Sequence, residues 1–249
     1  MRDVTSVLLL AGTTEATRLA DLLVRVHGVD VLSSLAGVTT APARRAGRTR
    51  TGGFGGAQGL ADHLRHHPVD ALIDVTHPFA AVMPSNAAAA AAATGTPSCR
   101  LLRPPWEPTP GDRWVDVPDL PAAAAAVRSL GARRVLLTVG RQSTWAFAEL
   151  DAWFLVRAID APQVAPARHQ LLLERGPFDL ASEQALLRHH QIDAVVTKNA
   201  GGTATVAKLV AARELGIPVV MVARPAPPDV TIVSGVDHAV AWLDGAMGL

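Results

Sequence analysis

Three stretches of this chain occur twice, in the same order and at nearly one spacing, and that repetition restricts the available folds more than any other feature. VLLLAGT at 7–13 matches VLLTVGR at 135–141, an offset of 128 between Val7 and Val135. LRHHPVDALID at 64–74 matches LRHHQIDAVVT at 187–197, an offset of 123 between Leu64 and Leu187. GTPSCRLLR at 95–103 matches GIPVVMVAR at 216–224, an offset of 121 between Gly95 and Gly216. Matches in chain order at a near-constant offset predict two half-molecules of similar structure. Chance similarity between generic α/β elements, which draw on few residue types, is the competing explanation.

The elements inside the repeats are short apolar runs that alternate with helical stretches. Residues 7–10 read as a strand, and Gly12-Thr13-Thr14 opens an amphipathic helix to about Arg25, with Ala16, Leu19, Ala20 and Leu23 on one face. Strands are expected over 31–35, 71–75 and 98–102, with the alanine tract 87–93 as a helix stopped by Gly95 and Pro97. The second half predicts strands over 135–139, 153–159, 194–197 and 219–222, and helices over 179–189 and 203–215. Such alternation implies parallel sheets, because parallel neighbours need a crossover and a helix supplies it. The fold class is α/β: two Rossmann-like domains with parallel sheets and an interdomain cleft, the loops after equivalent strands facing that cleft. PPWEPTPGDRWVDVPDLP at 104–121 carries too many prolines for regular helix and reads as the linker. Domains are therefore expected over 1–103 and 104–249.

A hydrophobic fraction of 49%, mostly Ala, Val and Leu, suits buried parallel strands. Net charge is +1 from 23 basic and 22 acidic residues, so no global field favours nucleic acid or an anionic membrane. The N-terminal apolar run is too short for a signal peptide, and no window reaches a membrane span. A cytoplasmic location is expected, and nothing calls for more than a monomer. Cys99 is the single cysteine, which excludes an intramolecular disulfide, and no C-x-x-C suggests zinc. His63, His66 and His67 have helical metal spacing, but LRHH recurs at His189 and His190, which favours helix C-terminal capping; no metal is expected.

The chemistry-bearing residues cluster where these strands end. AGTTEA at 11–16 can offer backbone amides and the Thr13 and Thr14 hydroxyls to a phosphate at a helix N-terminus, and an ordinary N-cap explains the same residues. It is not the G-x-G-x-x-G fingerprint. TGGFGG at 51–56 is a loop that lets a ligand approach the backbone, with Phe54 able to pack on a ring; a flexible turn is the plainer reading. DVTHPFA at 74–80 ends a buried strand and brings Asp74, Thr76, His77, Pro78 and Phe79 together, although a capped helix start with a hydrogen-bonded His would look alike. In the second half TKNAGGT at 197–203 sets Lys198 and Asn199 before two glycines, an anion seat or proton donor unless Lys198 is simply solvated. Arg44, Arg45, Arg48 and Arg50 follow the second strand, where a Rossmann-like fold selects the 2′-phosphate; substrate carboxylates or solvent are the other uses for them. No acidic residue follows Leu32-Ser33-Ser34, and the chain has no tyrosine, which removes the Tyr-Lys pair of short-chain dehydrogenases. The five tryptophans read as packing residues.

AGTTEA, SSLAG, TGGFGG, DVTHPFA and TKNAGGT, in that order over nearly the whole chain, resemble the precorrin-6A reductase family of cobalamin biosynthesis, which includes the cobalt-precorrin-6A reductases. The resemblance implies an NADPH-dependent reductase that holds NADPH mainly in its N-terminal domain and a tetrapyrrole, precorrin-6A or its cobalt form, in the cleft. It assigns Gly12, Thr13 and Thr14 to phosphate, Ser33 and Ser34 to the adenosine side, Gly53 and Phe54 to the cofactor, and Asp74 to Phe79 to the nicotinamide. Relatives often carry Arg directly after the AG of SLAG, where this chain has Val38, so 2′-phosphate recognition is expected from Arg44 or Arg45. Lys198 or His77 is the expected proton donor, with Asp74 beside it. Arg141, Lys198 and Arg224, with Asn199, Gly201 and Gly202, are expected to hold the substrate carboxylates. A two-lobed binding protein without catalysis would share these loops.

Overall fold

The computed structural model describes residues 4–37 and 44–248, so Val38 lies outside the described residues. The chain divides into two compact units, Met1–Pro104 with Pro225–Leu249, and Pro105–Arg224.

In chain order the first unit contains β1 (Ser6–Leu10), α1 (Thr14–Arg25), β2 (Asp30–Leu35), β3 (Arg48–Thr51), α2 (Gly56–His66), β4 (Ala71–Asp74), α3 (Val82–Thr94) and β5 (Ser98–Leu101). The second contains β6 (Trp114–Val117), α4 (Leu120–Ser129), β7 (Arg134–Thr138), a 3-10 turn (Thr144–Phe147), β8 (Trp153–Ala158), β9 (His169–Leu173), α5 (Leu180–His189), β10 (Ala194–Lys198), α6 (Ala207–Glu214) and β11 (Val219–Val222). The chain then adds β12 (Thr231–Val233) and α7 (Val236–Met247) to the first unit.

Each unit holds a six-stranded sheet, ordered β12-β5-β4-β1-β2-β3 in the first and β6-β11-β10-β7-β8-β9 in the second. Every strand pairing within them is parallel. The sequence repeats fall on equivalent positions: β1 and β7, β4 and β10, β5 and β11 occupy the same places in the two orders. Because side chains alternate across a strand, β1 feeds two cores. Val7 and Leu9 pack with Leu19 and Leu23 of α1 and Leu243 of α7, whereas Leu8 and Leu10 pack with Leu60 and Leu64 of α2 and the alanines of α3. Helices on both faces are why these strands are apolar throughout.

The edge positions correct two expectations. The expected second domain, 104–249, loses its last segment: β12 pairs in parallel with β5, and Ala239, Val240 and Leu243 of α7 are buried in the core of the first unit. A three-residue strand carries too little periodicity to reveal its partner. The expected linker, 104–121, contains β6, which pairs with β11, and Pro121 sits in the first turn of α4 behind the N-cap Asp119. Proline excludes a helix interior but neither an edge strand nor a first helical turn. The helix expected from residue 203 begins instead at Ala207, after Gly201 and Gly202 turn the chain at φ of 66° and 78°.

Candidate functional site

In the first unit the predicted cofactor residues lie at the C-terminal ends of adjacent strands, where open parallel sheets bind ligands, except Arg44 and Arg45, which precede β3 and so lead into the opposite end of that strand. Gly12, Thr13 and Thr14 follow β1, Ser33 and Ser34 end β2, Gly53 and Phe54 follow β3, and Asp74 to Phe79 follow β4. Thr13 is the N-cap of α1: its Oγ1 accepts from Ala16 N at 3.2 Å and donates to Val75 O at 2.9 Å, tying the β1 turn to the β4 turn. The Thr13 hydroxyl is thereby structural, and exposed Thr14 with the first free amides of the helix remains for a phosphate. Glu15, in that same helical turn, is neutralised by Arg103 at 2.7 Å.

Asp74 is 4% exposed, and its Oδ1 accepts from Thr76 N at 2.9 Å while Oδ2 lies 3.4 Å from Nε of buried Arg100. Burial raises its pKa, against the opposing pull of the Thr76 hydrogen bond and Arg100. Asp74 therefore shapes the turn from beneath. His77 is exposed, and its Nδ1 accepts from Phe79 N at 3.2 Å, so in the neutral ring Nε2 carries the proton. Pro78 is buried and Phe79 half-buried beside the His77 ring.

Arg50, at the end of β3, is paired in register with Ser34. It donates through Nη1 to Ser34 Oγ at 2.8 Å and Gly52 O at 3.1 Å, and through Nη2 to Gly53 O at 3.1 Å, with its guanidinium 3.9 Å from the Phe54 ring centroid. The glycine loop is thus an ordered structure. It also explains Gly59 of α2, where a Cβ would fall 1.7 Å from the carbonyl oxygen of Phe54. Arg44 is exposed at the start of the segment leading into β3, and Arg45 is half-buried, with Asp21 opposing the burial that lowers its pKa.

In the second unit Arg141 follows β7, Lys198 ends β10 with Asn199, Gly201 and Gly202 after it, and Arg224 follows β11, so these too share one sheet edge. Lys198 Nζ donates to Ser143 Oγ at 2.7 Å, and burial lowers the lysine pKa. A lysine so shifted releases a proton more readily near neutral pH than a solvated one. Arg141 lies 3.9 Å from Asp160. Asn199 is structurally engaged: Oδ1 accepts from Trp106 N at 2.8 Å, Nδ2 donates to Trp106 O at 3.0 Å, and its own carbonyl accepts from Arg224 Nε at 2.6 Å. Trp106 Nε1 donates to Gly202 O at 2.8 Å, and Lys208 Nζ lies 4.7 Å from the indole centroid.

The model of the precorrin-6x reductase CbiJ/CobK family matches residues 6–244. The chain belongs to that family. A precorrin-6A reductase of Rhodococcus erythropolis is 53% identical over 242 residues, covering 96% of this chain and 97% of the relative. That of Mycobacterium tuberculosis is 48% identical over 244 residues, covering 97% and 98%. Among solved structures, CobK precorrin-6A reductase superposes with a TM-score of 0.92 at 43% identity, covering 98% of this chain and 97% of that one. Membership makes this chain an oxidoreductase.

In this precorrin-6x reductase family member, several residues at the two edges escaped the sequence reading. Ser143 lay in the unremarkable stretch RQSTW, and only the fold brings it to Lys198. Trp106 was assigned to a linker, yet it pins the glycine turn of the second unit. Arg100 and Arg103 lie in the repeated segment 95–103, but nothing local marks them as partners of Asp74 and Glu15. Among the described residues no helix is long and apolar enough to cross a membrane.

Proposed function

We propose that this chain reduces a precorrin-6A-type tetrapyrrole of cobalamin biosynthesis, with NADPH as the reductant. The observation that carries the reading is the coincidence of both predicted residue sets, Arg44 and Arg45 excepted, with the C-terminal edge of a parallel sheet, in a chain 53% identical to a precorrin-6A reductase. The donor set suits the dinucleotide: exposed Thr14 and the α1 amides match its pyrophosphate, and Ser34, Arg50 and Phe54 its adenosine side. NADPH, when bound, supplies the hydride.

The protein's own part is position and charge. Arg141, Lys198 and Arg224 offer cations to the carboxylates of a polyanionic macrocycle, while Asn199, occupied by Trp106, holds the turn that carries them. Reduction adds a hydride to a carbon of the conjugated C=N/C=C system and a proton to its partner position. Lys198, with its lowered pKa, is the proposed donor of that proton, and His77 Nε2 is the second candidate. Asp74 acts through the His77 turn.

Incubating the purified protein with NADPH and the metal-free macrocycle tests this. Loss of the reduced-nicotinamide absorbance in step with a shift of the macrocycle spectrum is expected; binding without turnover would instead make the chain a carrier. Lys198→Ala is expected to cut turnover at saturating NADPH while leaving NADPH affinity nearly intact, and unchanged turnover would pass the proton-donor role to His77.

A further inference from the structure

Among the described residues nothing of opposite charge pairs with Arg50. Its guanidinium has five N–H donors. Three are taken by Ser34 Oγ, Gly52 O and Gly53 O, all neutral, which leaves the Nε–H and one Nη2–H. Among the described residues no carboxylate lies within ion-pair distance of it, whereas Arg48 meets Asp30 at 2.7 Å and Arg103 meets Glu15 at 2.7 Å. His63, whose ring sits 5.1 Å from that of Phe54, is neutral or cationic and supplies no negative charge; burial first, then His67 and Arg50, lowers its pKa.

The side chain is also immobilised before any ligand arrives. Three hydrogen bonds fix one edge of the guanidinium and Phe54 covers one face. Ordering a long cation usually opposes binding, and here that ordering is already complete. A planar fork with two neighbouring donors matches two oxygens of a phosphomonoester. Its location beside Ser34, at the end of β2, is where a sheet of this kind meets the adenosine ribose of a dinucleotide.

We propose that Arg50 is the specificity-determining residue of the cofactor site, receiving the 2′-phosphate of the dinucleotide on its Nε/Nη2 edge while Phe54 backs the opposite contact. The assignment rests on the NADPH reading above and replaces the expectation that Arg44 or Arg45 does this. Arg44 is solvated, burial lowers the Arg45 pKa against the opposing charge of Asp21, and both precede β3, at the other end of that strand from the glycine loop.

Calorimetric titration of NADPH, NADH, 2′,5′-ADP and 5′-AMP into wild type, Arg50→Met, Arg50→Lys, Arg44→Ala and Arg45→Ala tests it without turnover. Arg50→Met is expected to weaken NADPH and 2′,5′-ADP by ~10- to 100-fold, the loss of one charge-assisted pair, and to leave NADH and 5′-AMP within about 2-fold. Arg50→Lys keeps the charge but loses the planar fork and should fall between, which separates phosphate recognition from any disorder of the glycine loop in Arg50→Met. Equal weakening of all four ligands by both Arg50 variants would make the residue a loop scaffold and overturn the proposal. So would discrimination that is lost in Arg44→Ala or Arg45→Ala and kept without Arg50. A wild type that binds NADH as well as NADPH overturns this assignment alone; one that binds neither dinucleotide overturns the cofactor reading and this with it.

Discussion

Lys198 and Ser143 stand 55 residues apart in sequence, and their side chains meet at 2.7 Å because β10 and β7 are neighbours in the second sheet. The serine hydroxyl accepts from the ammonium and so favours the charged lysine, against the burial that lowers its pKa. Ser143→Ala removes that support and lowers the pKa further. With Lys198 as the proton donor, the alkaline limb of the kcat profile then moves to lower pH, with a loss of roughly 10-fold above neutrality and little change in acid. A kcat profile superimposable on wild type would remove Ser143 from the positioning of Lys198.

Asn199 closes both backbone groups of Trp106. Asn199→Ala leaves a half-buried N–H and C=O unsatisfied, at a cost of about 2–4 kcal/mol in urea unfolding. Asn199→Asp still accepts from the Trp106 N–H but sets a carboxylate oxygen against the Trp106 carbonyl, so it should be at least as damaging. If both variants unfold at the wild-type midpoint, the clamp is not a stabilising element.

Lys208 is buried against the Trp106 face, donates to Thr205 O at 2.7 Å, and lies near the buried pair Arg157 and Glu183. Burial first, then Arg157, brings its pKa from 10.5 down to about 7, with Glu183 opposing. Between those values the unfolded chain holds a proton that the folded one has released, so stability rises with pH from about 7 towards 10.5. Below about 7 the full cost of the buried charge is present. Lys208→Met should flatten that rise and match or exceed wild-type stability at pH 6. Melting temperatures across this range check it; an unchanged slope would assign the pH dependence elsewhere.

For Asp74 the sign is opposite. Its pKa lies above the ordinary carboxylate value of 3.8, so within that window the folded state binds the extra proton and its contribution to stability falls as pH rises. Asp74→Asn should abolish that dependence while leaving Arg100 buried without its counter-charge, at about 3–5 kcal/mol near neutral pH. Arg100→Met should cost a similar amount. The double variant should lose less than the sum, because neither stranded charge remains. Strict additivity in chemical unfolding would mean that the 3.4 Å contact carries no coupling.

Much of the architecture was legible because local patterns encode it. Short apolar runs such as Ala71 to Ile73 on β4 have to be buried on both faces, and Thr13 before an amphipathic stretch has to cap a helix. The three repeated segments specified equivalent positions in two sheets, the apolar runs placed most candidate residues at the strand ends, and the family resemblance supplied their expected roles. What the sequence could not settle was every contact between segments distant in the chain. The Thr231–Val233 strand joins Cys99–Leu101 through backbone hydrogen bonds that leave no mark on residue type. Trp106 looked like a packing residue in a proline-rich strap until the fold set its indole N–H on Gly202 O. Likewise Arg50 was one of four arginines in a basic segment, and only tertiary structure distinguishes the one beside Ser34 and Phe54 from Arg48, which pairs with Asp30. Periodicity records which side of an element is buried; which partner meets it there depends on long-range strand order, and in this protein that order decides which polar groups share a sheet edge.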